Sequence, residues 1–343
     1  MIPKQDIHEI REILNKSTNP LFFYDDDPDG LVSYLLLRKH FRKGRGIVVK
    51  SSPTLDLIYL RKVKELSPDK VFILDKPIVT QEFVDQVNVP VVWIDHHEPI
   101  ILEGVKYFNP RLSNKKDARP TSYWCNEVVN EDDWLSAVGI IGDWFIPDHF
   151  NNLIKKYPDL LFKTKDPGDI LFDSEFGKLV KVFSFALKGT IEEIRNNVSV
   201  LLKIESPYEI LNQLTPAGKF LYKNFERFNK EYSSLLEKAK ECYDKKTKSL
   251  VFIYPSTKNS HTGPLSNELI HEHPNTLLII GRKKNDAVKM SIRHSKRVLP
   301  PLIKKALDGL EGYGGGHDHA CGANVKESDF KIFVERLQKL TQK

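Results

Sequence analysis

Leu21-Phe22-Phe23-Tyr24 runs directly into Asp25-Asp26-Asp27-Pro28-Asp29-Gly30. Large apolar residues in succession, with no polar alternation, fit a strand buried on both faces, as in a parallel sheet between helix layers. The chemistry then changes abruptly to a run of acids. Two further apolar runs end the same way: Val71 to Leu74 leads into Asp75, and Val91 to Ile94 leads into Asp95. Ile47 to Val49 supplies a fourth candidate strand. Between these runs, Leu31 to Phe41 and Leu55 to Leu66 have helical spacing and length, so the rhythm is that of a doubly wound α/β domain.

In an open parallel sheet the carboxyl ends of the strands share one edge, where ligand sites collect. Asp25, Asp75 and Asp95 are therefore expected to be neighbours. Asp25, Asp27 and Asp29 lie two apart, so an extended or turning backbone can direct all three to one side. A single acid after a strand is commonly a helix cap, and Asp29-Gly30 also fits a turn. Capping does not account for three strand-end acids, a triple-acid loop and the pair His96-His97 together. Carboxylates crowded without a counter-charge would acquire high pKa values and destabilise the fold, a conflict that divalent cations remove. Oxygen donors combined with imidazole suit manganese, and magnesium can also use them.

Outward from this region, 343 residues lead to the expectation of two domains. A hydrophobic content of 40% with 29% charged residues excludes a disordered chain. No apolar run reaches the roughly 18 residues that span a bilayer, and the charged N-terminal stretch lacks a signal-peptide core, so a cytoplasmic protein without membrane contact is expected. Cys125, Cys242 and Cys321 are widely separated and odd in number, which points to reduced thiols. From residue 243 onward, 18 Lys and Arg face 10 Asp and Glu, although the net charge of the whole chain is only +6. That asymmetry suits a C-terminal part that meets a polyanion, and equally a solubilising surface.

The texture becomes helical between 151 and 246, where Phe225, Phe228, Tyr232, Leu235 and Ala239 mark one apolar stripe of a long helix. Strand signals return at Ser249 to Tyr254, Thr276 to Ile280 and Ala287 to Ile292, followed by a glycine-rich loop at Gly312 to Gly316. The expected organisation is a parallel-sheet α/β domain over 1–150, a helical segment and linker over 151–246, and a smaller α/β domain over 247–343.

The ordered set DDDPDG (25–30), ILDKP (73–77), IDHHEP (94–99) and GIIGDW (139–144) resembles the motifs of the DHH phosphoesterase superfamily. GYGGGHDHACGA (312–323) is similar to the signature of the DHH-associated domain. Together they cover residues 20 to 330, with a less matched middle, and look most like archaeal RecJ-like nucleases, including small 3′-to-5′ exonuclease-type members. The resemblance implies that Asp25, Asp27 and Asp75 hold one metal and that Asp29, Asp75, His96 and Asp143 hold another, with Asp75 bridging. It further implies that Asp95 orients a histidine and that His97 touches the scissile phosphate. Many relatives carry histidine where this chain has Asp25, which bears on metal preference. Asp143 is preferred to the nearby Asp148 on its GIIGDW context. Gly314, Gly315, Gly316 and His317 would grip the far end of the substrate, with Arg293 toward the nucleic-acid backbone or base.

The implied activity is a manganese-dependent phosphodiesterase, magnesium being usable, that works as a single-strand-specific exonuclease on DNA or RNA through two ions and an attacking water. The expected partner is single-stranded nucleic acid or a short oligonucleotide, with a replication or repair protein as a further candidate. Rival expectations are an oligoribonuclease or a phosphatase for dinucleotides, cyclic dinucleotides or 3′-phosphoadenosine phosphate, and, in another class, a replication scaffold without catalysis. Polarity, sugar preference and oligomeric state are not legible in the sequence.

Overall fold

A computed structural model describes residues 2–50, 54–131, 133–255 and 260–342. The chain is mixed α/β and divides into two compact units, 1–225 and 226–343.

The first unit opens with helix α1 (Lys4–Lys16) and then β1 (Pro20–Asp25), α2 (Pro28–Phe41), β2 (Arg45–Val49), β3 (Thr54–Leu55), α3 (Leu60–Leu66), β4 (Lys70–Leu74), β5 (Ile78–Val79), α4 (Gln81–Gln86), β6 (Val91–Ile94) and β7 (Val105–Phe108). Its main sheet has the order β2-β1-β4-β6-β7, parallel throughout. The expected strands are all present. The helix expected over Leu55 to Leu66 is shorter: Leu55 belongs to β3, which pairs with β5, and Asp56 caps a 3-10 turn before α3 begins at Leu60.

Alternation along the strands builds two apolar faces, as the pleat requires. Phe23, Ile73, Trp93 and Phe83 belong to the core on one side. Phe22 stacks on Phe72 and leans on Tyr34 of α2 on the other. Each such side chain, fully buried, contributes about 1.5–3 kcal/mol. Connections leave β1 toward β2 and leave β4 toward β6, so the sheet reverses direction between β1 and β4, the place where α/β sheets bind ligands.

Helices α5 (Thr121–Val129) and α6 (Trp134–Gly142) pack on α2. Helices α7 (Phe150–Lys156), α8 (Pro167–Asp173), α9 (Glu175–Ala186), α10 (Ile191–Leu201) and α11 (Pro207–Leu211) follow, and α9 packs on α6 and α2. Helix α12 (Pro216–Lys240) is the expected long helix, and the division into units falls within it. The sequence reading set boundaries at 150 and 246. Helices α8 and α9 bury their apolar faces with the first sheet's helices, so this part of the helical segment lies in the first unit.

Gly30 shows how tightly α2 meets β1. A Cβ there would stand 2.6 Å from the backbone N of Asp25 and 2.9 Å from its carbonyl O. Gly30→Ala is therefore expected to destabilise the protein by about 1–3 kcal/mol, the cost of overpacking against a backbone that cannot yield. Urea denaturation measures this, and an unchanged midpoint would refute the close approach.

The second unit contains β8 (Tyr243–Asp244), β9 (Ser249–Pro255), α13 (Thr262–Glu272), β10 (Leu277–Lys284), β11 (Ala287–Arg293), α14 (Leu299–Ala306), β12 (Gly312–His317), β13 (Ala320–Lys326) and α15 (Phe330–Gln342). Its sheet order is β12-β13-β11-β10-β9-β8, and among these pairs β9 and β10 are parallel while the others are antiparallel. Ile279, Val288, Met290 and Ile292 form its core with Ile303 and Phe333. Gly312 to Gly316, expected as a loop, is instead the edge strand β12. Its glycines let it lie close to its neighbours: a Cβ on Gly314 would come within 2.9 Å of Ile303 Cγ2. Among the described residues, no helix is long and apolar enough to cross a membrane.

Candidate metal centre

Strand register brings the acids together. Tyr24 pairs with Leu74, and Leu74 with Ile94, so Asp25, Asp75 and Asp95 emerge side by side at the carboxyl edge. Around the reversal between β1 and β4, three overlapping groups form: Asp25 with Asp27 and Asp75; Asp29 with His96 and Asp143; and Asp75 with His96 and His97. Within each group the potential ligand atoms lie within 4.8 Å of one another. His96 Nε2 is 3.4 Å from Asp75 Oδ1, 3.6 Å from Asp143 Oδ2 and 3.9 Å from Asp29 Oδ2.

Each member is held by its own local structure. Asp27 is the N-cap of α2 and accepts from Gly30 N at 2.9 Å, so the capping role and membership of the cluster coexist in one residue. Asp29, fully buried, accepts from the amides of Thr121 and Ser122 at 2.8 and 2.7 Å, which aims the N-terminal dipole of α5 at its carboxylate. Asp75 sits at φ +59, a left-handed backbone uncommon outside glycine, and accepts from Thr121 Oγ1 at 3.1 Å. Asp143 closes the C-terminus of α6. Asp26, which breaks the every-second-residue alternation, pairs with Lys50. Asp148 accepts from the Tyr123 hydroxyl at 2.8 Å and is absent from these groups.

Asp95 is fully buried and organises His97. Its carboxylate meets His97 Nδ1 at 2.8 Å and accepts from the His97 amide, the Tyr107 hydroxyl and Asn109 Nδ2 at 3.1, 3.2 and 3.2 Å. The two adjacent histidines are driven in opposite directions. Burial lowers the pKa of His96 and keeps it a neutral donor, as a metal ligand must be. For His97 burial is outweighed by the hydrogen bond and charge of Asp95, so its pKa rises and it tends to carry a proton.

The carboxylates are destabilised as anions while alone. Desolvation, then mutual repulsion, raises the pKa values of Asp75 and Asp143 well above the ordinary range and pushes Asp27 up to about 7. A set of buried oxygen donors beside a neutral imidazole fits a hard divalent cation. A pH effect follows. In the metal-free protein the fold retains protons that the unfolded chain releases above about pH 4, so stability is greatest on the acid side and falls as pH rises through 7. The expected loss between pH 5 and 8 after EDTA treatment is on the order of a few kcal/mol in urea denaturation, and Mn2+ should restore it. A midpoint independent of pH and metal would contradict the cluster.

Residues the sequence reading passed over complete the site. Lys76, with no exposed surface, donates from Nζ to Asp25 Oδ1 at 2.8 Å, while Trp93 Nε1 donates to the Lys76 carbonyl at 3.1 Å. Its position directly after Asp75 was the available signal. Thr121 and Ser122 follow Pro120 as a helix start, but nothing in that pattern names Asp29 as the group they hold.

In the second unit, Arg293 and His317 stand on either side of Ala320 in the sheet register, about 10 Å apart at backbone level for two strand spacings. Arg293 donates from Nε to Asn267 Oδ1 at 3.1 Å and from Nη1 to the carbonyl of Ile292 at 3.1 Å. Gly314, Gly315 and Gly316 lie on the exposed edge strand beside them.

Residues 246–343 match the family model of the DHHA1 domain. RecJ from Thermus thermophilus, solved in complex with Mn2+, is similar with a TM-score of 0.67 at 16% identity, over 99% of this chain and 54% of its own. The chain thus spans about half the length of that RecJ. A second exonuclease RecJ structure, bound to manganese, gives 0.59 at 16% identity over 98% of this chain and 94% of its own. A pGpG-specific phosphodiesterase from Vibrio cholerae gives 0.50 at 14% identity over 95% and 99%. No curated protein matches the sequence. At these identities the likeness establishes the fold.

Proposed function

Proceeding from a chain that has the RecJ-like DHH fold and carries a DHHA1 domain at its C-terminal end, we propose that it is a divalent-metal-dependent phosphodiesterase that removes nucleotides from the end of single-stranded DNA or RNA. The observation that carries this reading is the convergence of Asp25 and Asp27 on Asp75, and of Asp29, Asp75 and Asp143 on His96, with Asp75 and His96 each shared between groups. In this reading Asp25, Asp27 and Asp75 hold one ion, and Asp29, Asp75, His96 and Asp143 hold the other, with manganese or magnesium as the cation. Bound divalent ions supply an acidified water and a counter-charge to phosphate oxygens.

The protein's own groups do the rest. Asp95 holds His97 Nδ1, leaving the Nε2 proton free to be donated to a phosphate oxygen. Asp29, clamped by the α5 amides, keeps its carboxylate in one orientation and so limits reorganisation during reaction. Arg293, His317 and the glycine strand supply donors for a substrate's distal phosphates in the DHHA1 domain.

A time course on 5′-labelled single-stranded DNA and RNA with Mn2+ tests the reading, because the product ladder reports activity, polarity and sugar preference together. Absence of Mn2+- or Mg2+-dependent cleavage on every substrate would overturn it. A shorter substrate is the second reading, favoured by the fold shared with the pGpG-specific enzyme. Comparing a 2-mer with a 20-mer separates the two.

A further inference from the structure

We propose that the ring of Trp144, backed by Phe172, is a stacking platform for one nucleobase of the substrate, at the residue that follows Asp143 of the carboxylate cluster. The inference deepens the phosphodiesterase reading and rests on it. Trp144 directly follows Asp143, whose carboxylate stands with Asp29 and His96. The chain turns sharply there: the Trp144 amide donates to the Ile141 carbonyl at 3.0 Å and its φ is +60. At the end of a helix this left-handed backbone belongs to glycine or asparagine, and a bulky side chain in it costs conformational energy.

Core packing does not offset that cost. Trp144 is 42% exposed, although a tryptophan normally buries most of a large apolar surface. Two local preferences are therefore broken at one residue, directly beside the acids, which is where strain and exposed apolar surface are retained for a ligand. Phe172, at the end of α8, meets the indole at 5.8 Å between centroids and 55° between planes, which limits how far the ring can swing. Phe172 also lines, with Phe162, an open depression of about 470 Å3. Asp159, Asp173 and Glu175 share that depression, so it repels phosphates and suits the base side of a nucleotide.

Any base has a π-face, so such a platform is tolerant of sequence. Bases inside a duplex are already stacked on both faces and reach the indole only at an unstacking cost, whereas those of a single strand are free to stack on it.

The experiment uses the full chain in EDTA and measures fluorescence anisotropy with a labelled 12-mer and the same 12-mer made abasic at its two terminal positions on either end. Trp144→Ala should weaken binding of the intact strand about tenfold or more, Trp144→Phe should recover most of it, and the loss on removing the bases should not add to the loss on removing the ring. Trp144→Gly, which relaxes the backbone, should be at least as stable to urea as wild type yet bind as weakly as Trp144→Ala. Equal affinity of wild type, Trp144→Ala and Trp144→Gly for the intact strand, or additive losses, would overturn the platform. Wild-type cleavage with Mn2+, measured in parallel, keeps the readings separate: cleavage without a Trp144 effect removes the platform alone, whereas ring-dependent base binding without cleavage removes the catalytic reading alone. Failure of the wild type to bind any oligonucleotide removes the platform, and absence of Mn2+-dependent cleavage as well removes both.

Discussion

Asp75→Asn is expected to lower Mn2+-dependent phosphodiester cleavage by about 10³-fold or more, the scale seen when one preorganised charged group is lost from a water-poor site. Asp75 touches both proposed ions in this reading and has no duplicate. Asparagine preserves its shape and can still accept from Thr121 Oγ1, so the fold should survive. The same change should affect stability in the opposite sense. Without metal, burial and then repulsion from Asp29, Asp27 and Asp25 disfavour the charged form of the wild-type carboxylate, and asparagine carries no charge to be disfavoured. EDTA-treated Asp75→Asn should therefore be more stable than EDTA-treated wild type, while gaining little from Mn2+. Substantial cleavage by the variant, or an unchanged response to Mn2+, would exclude Asp75 as a shared ligand.

Lys76→Met should cost about 3–5 kcal/mol, the usual consequence of removing one partner of a buried ion pair. The methionine refills the stem, so the loss isolates the ammonium from its packing. Lys76 and Asp25 offset one another in a way that charge counting makes plain. In the proposed reading five carboxylates would face two divalent ions, and one lysine would bring the sum to +0 only with the ions bound. Asp25→Asn in the Lys76→Met background should then recover much of the lost stability, because both charges go together. A double-mutant cycle in urea reads the coupling directly, and a coupling near zero would show that Lys76 stabilises the fold through its stem alone.

These two predictions depend on different degrees of legibility. Asp75 was visible as an acid closing an apolar run, and the parallel register of β1, β4 and β6 made its proximity to Asp25 a matter of topology. Lys76 was not visible in that sense. A lysine after a strand is usually solvated, yet here Trp93 Nε1 donates to its carbonyl, the backbone turns at Asp75, and its ammonium lies inward on Asp25. The glycine run at 312–316 misled in the other direction. Consecutive glycines read as a loop, yet β13 supplies the hydrogen-bond ladder that makes them a strand.

What the amino-acid order determined on its own was the set of parallel strands and the edge at which their acids emerge, because uninterrupted apolar runs must be covered on both faces and a parallel sheet has one carboxyl edge. Tertiary structure decided the protonation tendencies of His96 and His97, the cation assigned to Asp25, the amides that hold Asp29 and the exposure of Trp144. Each of these depends on which distant groups exclude water from a side chain, and desolvation is a property of the packed surroundings that no local pattern encodes.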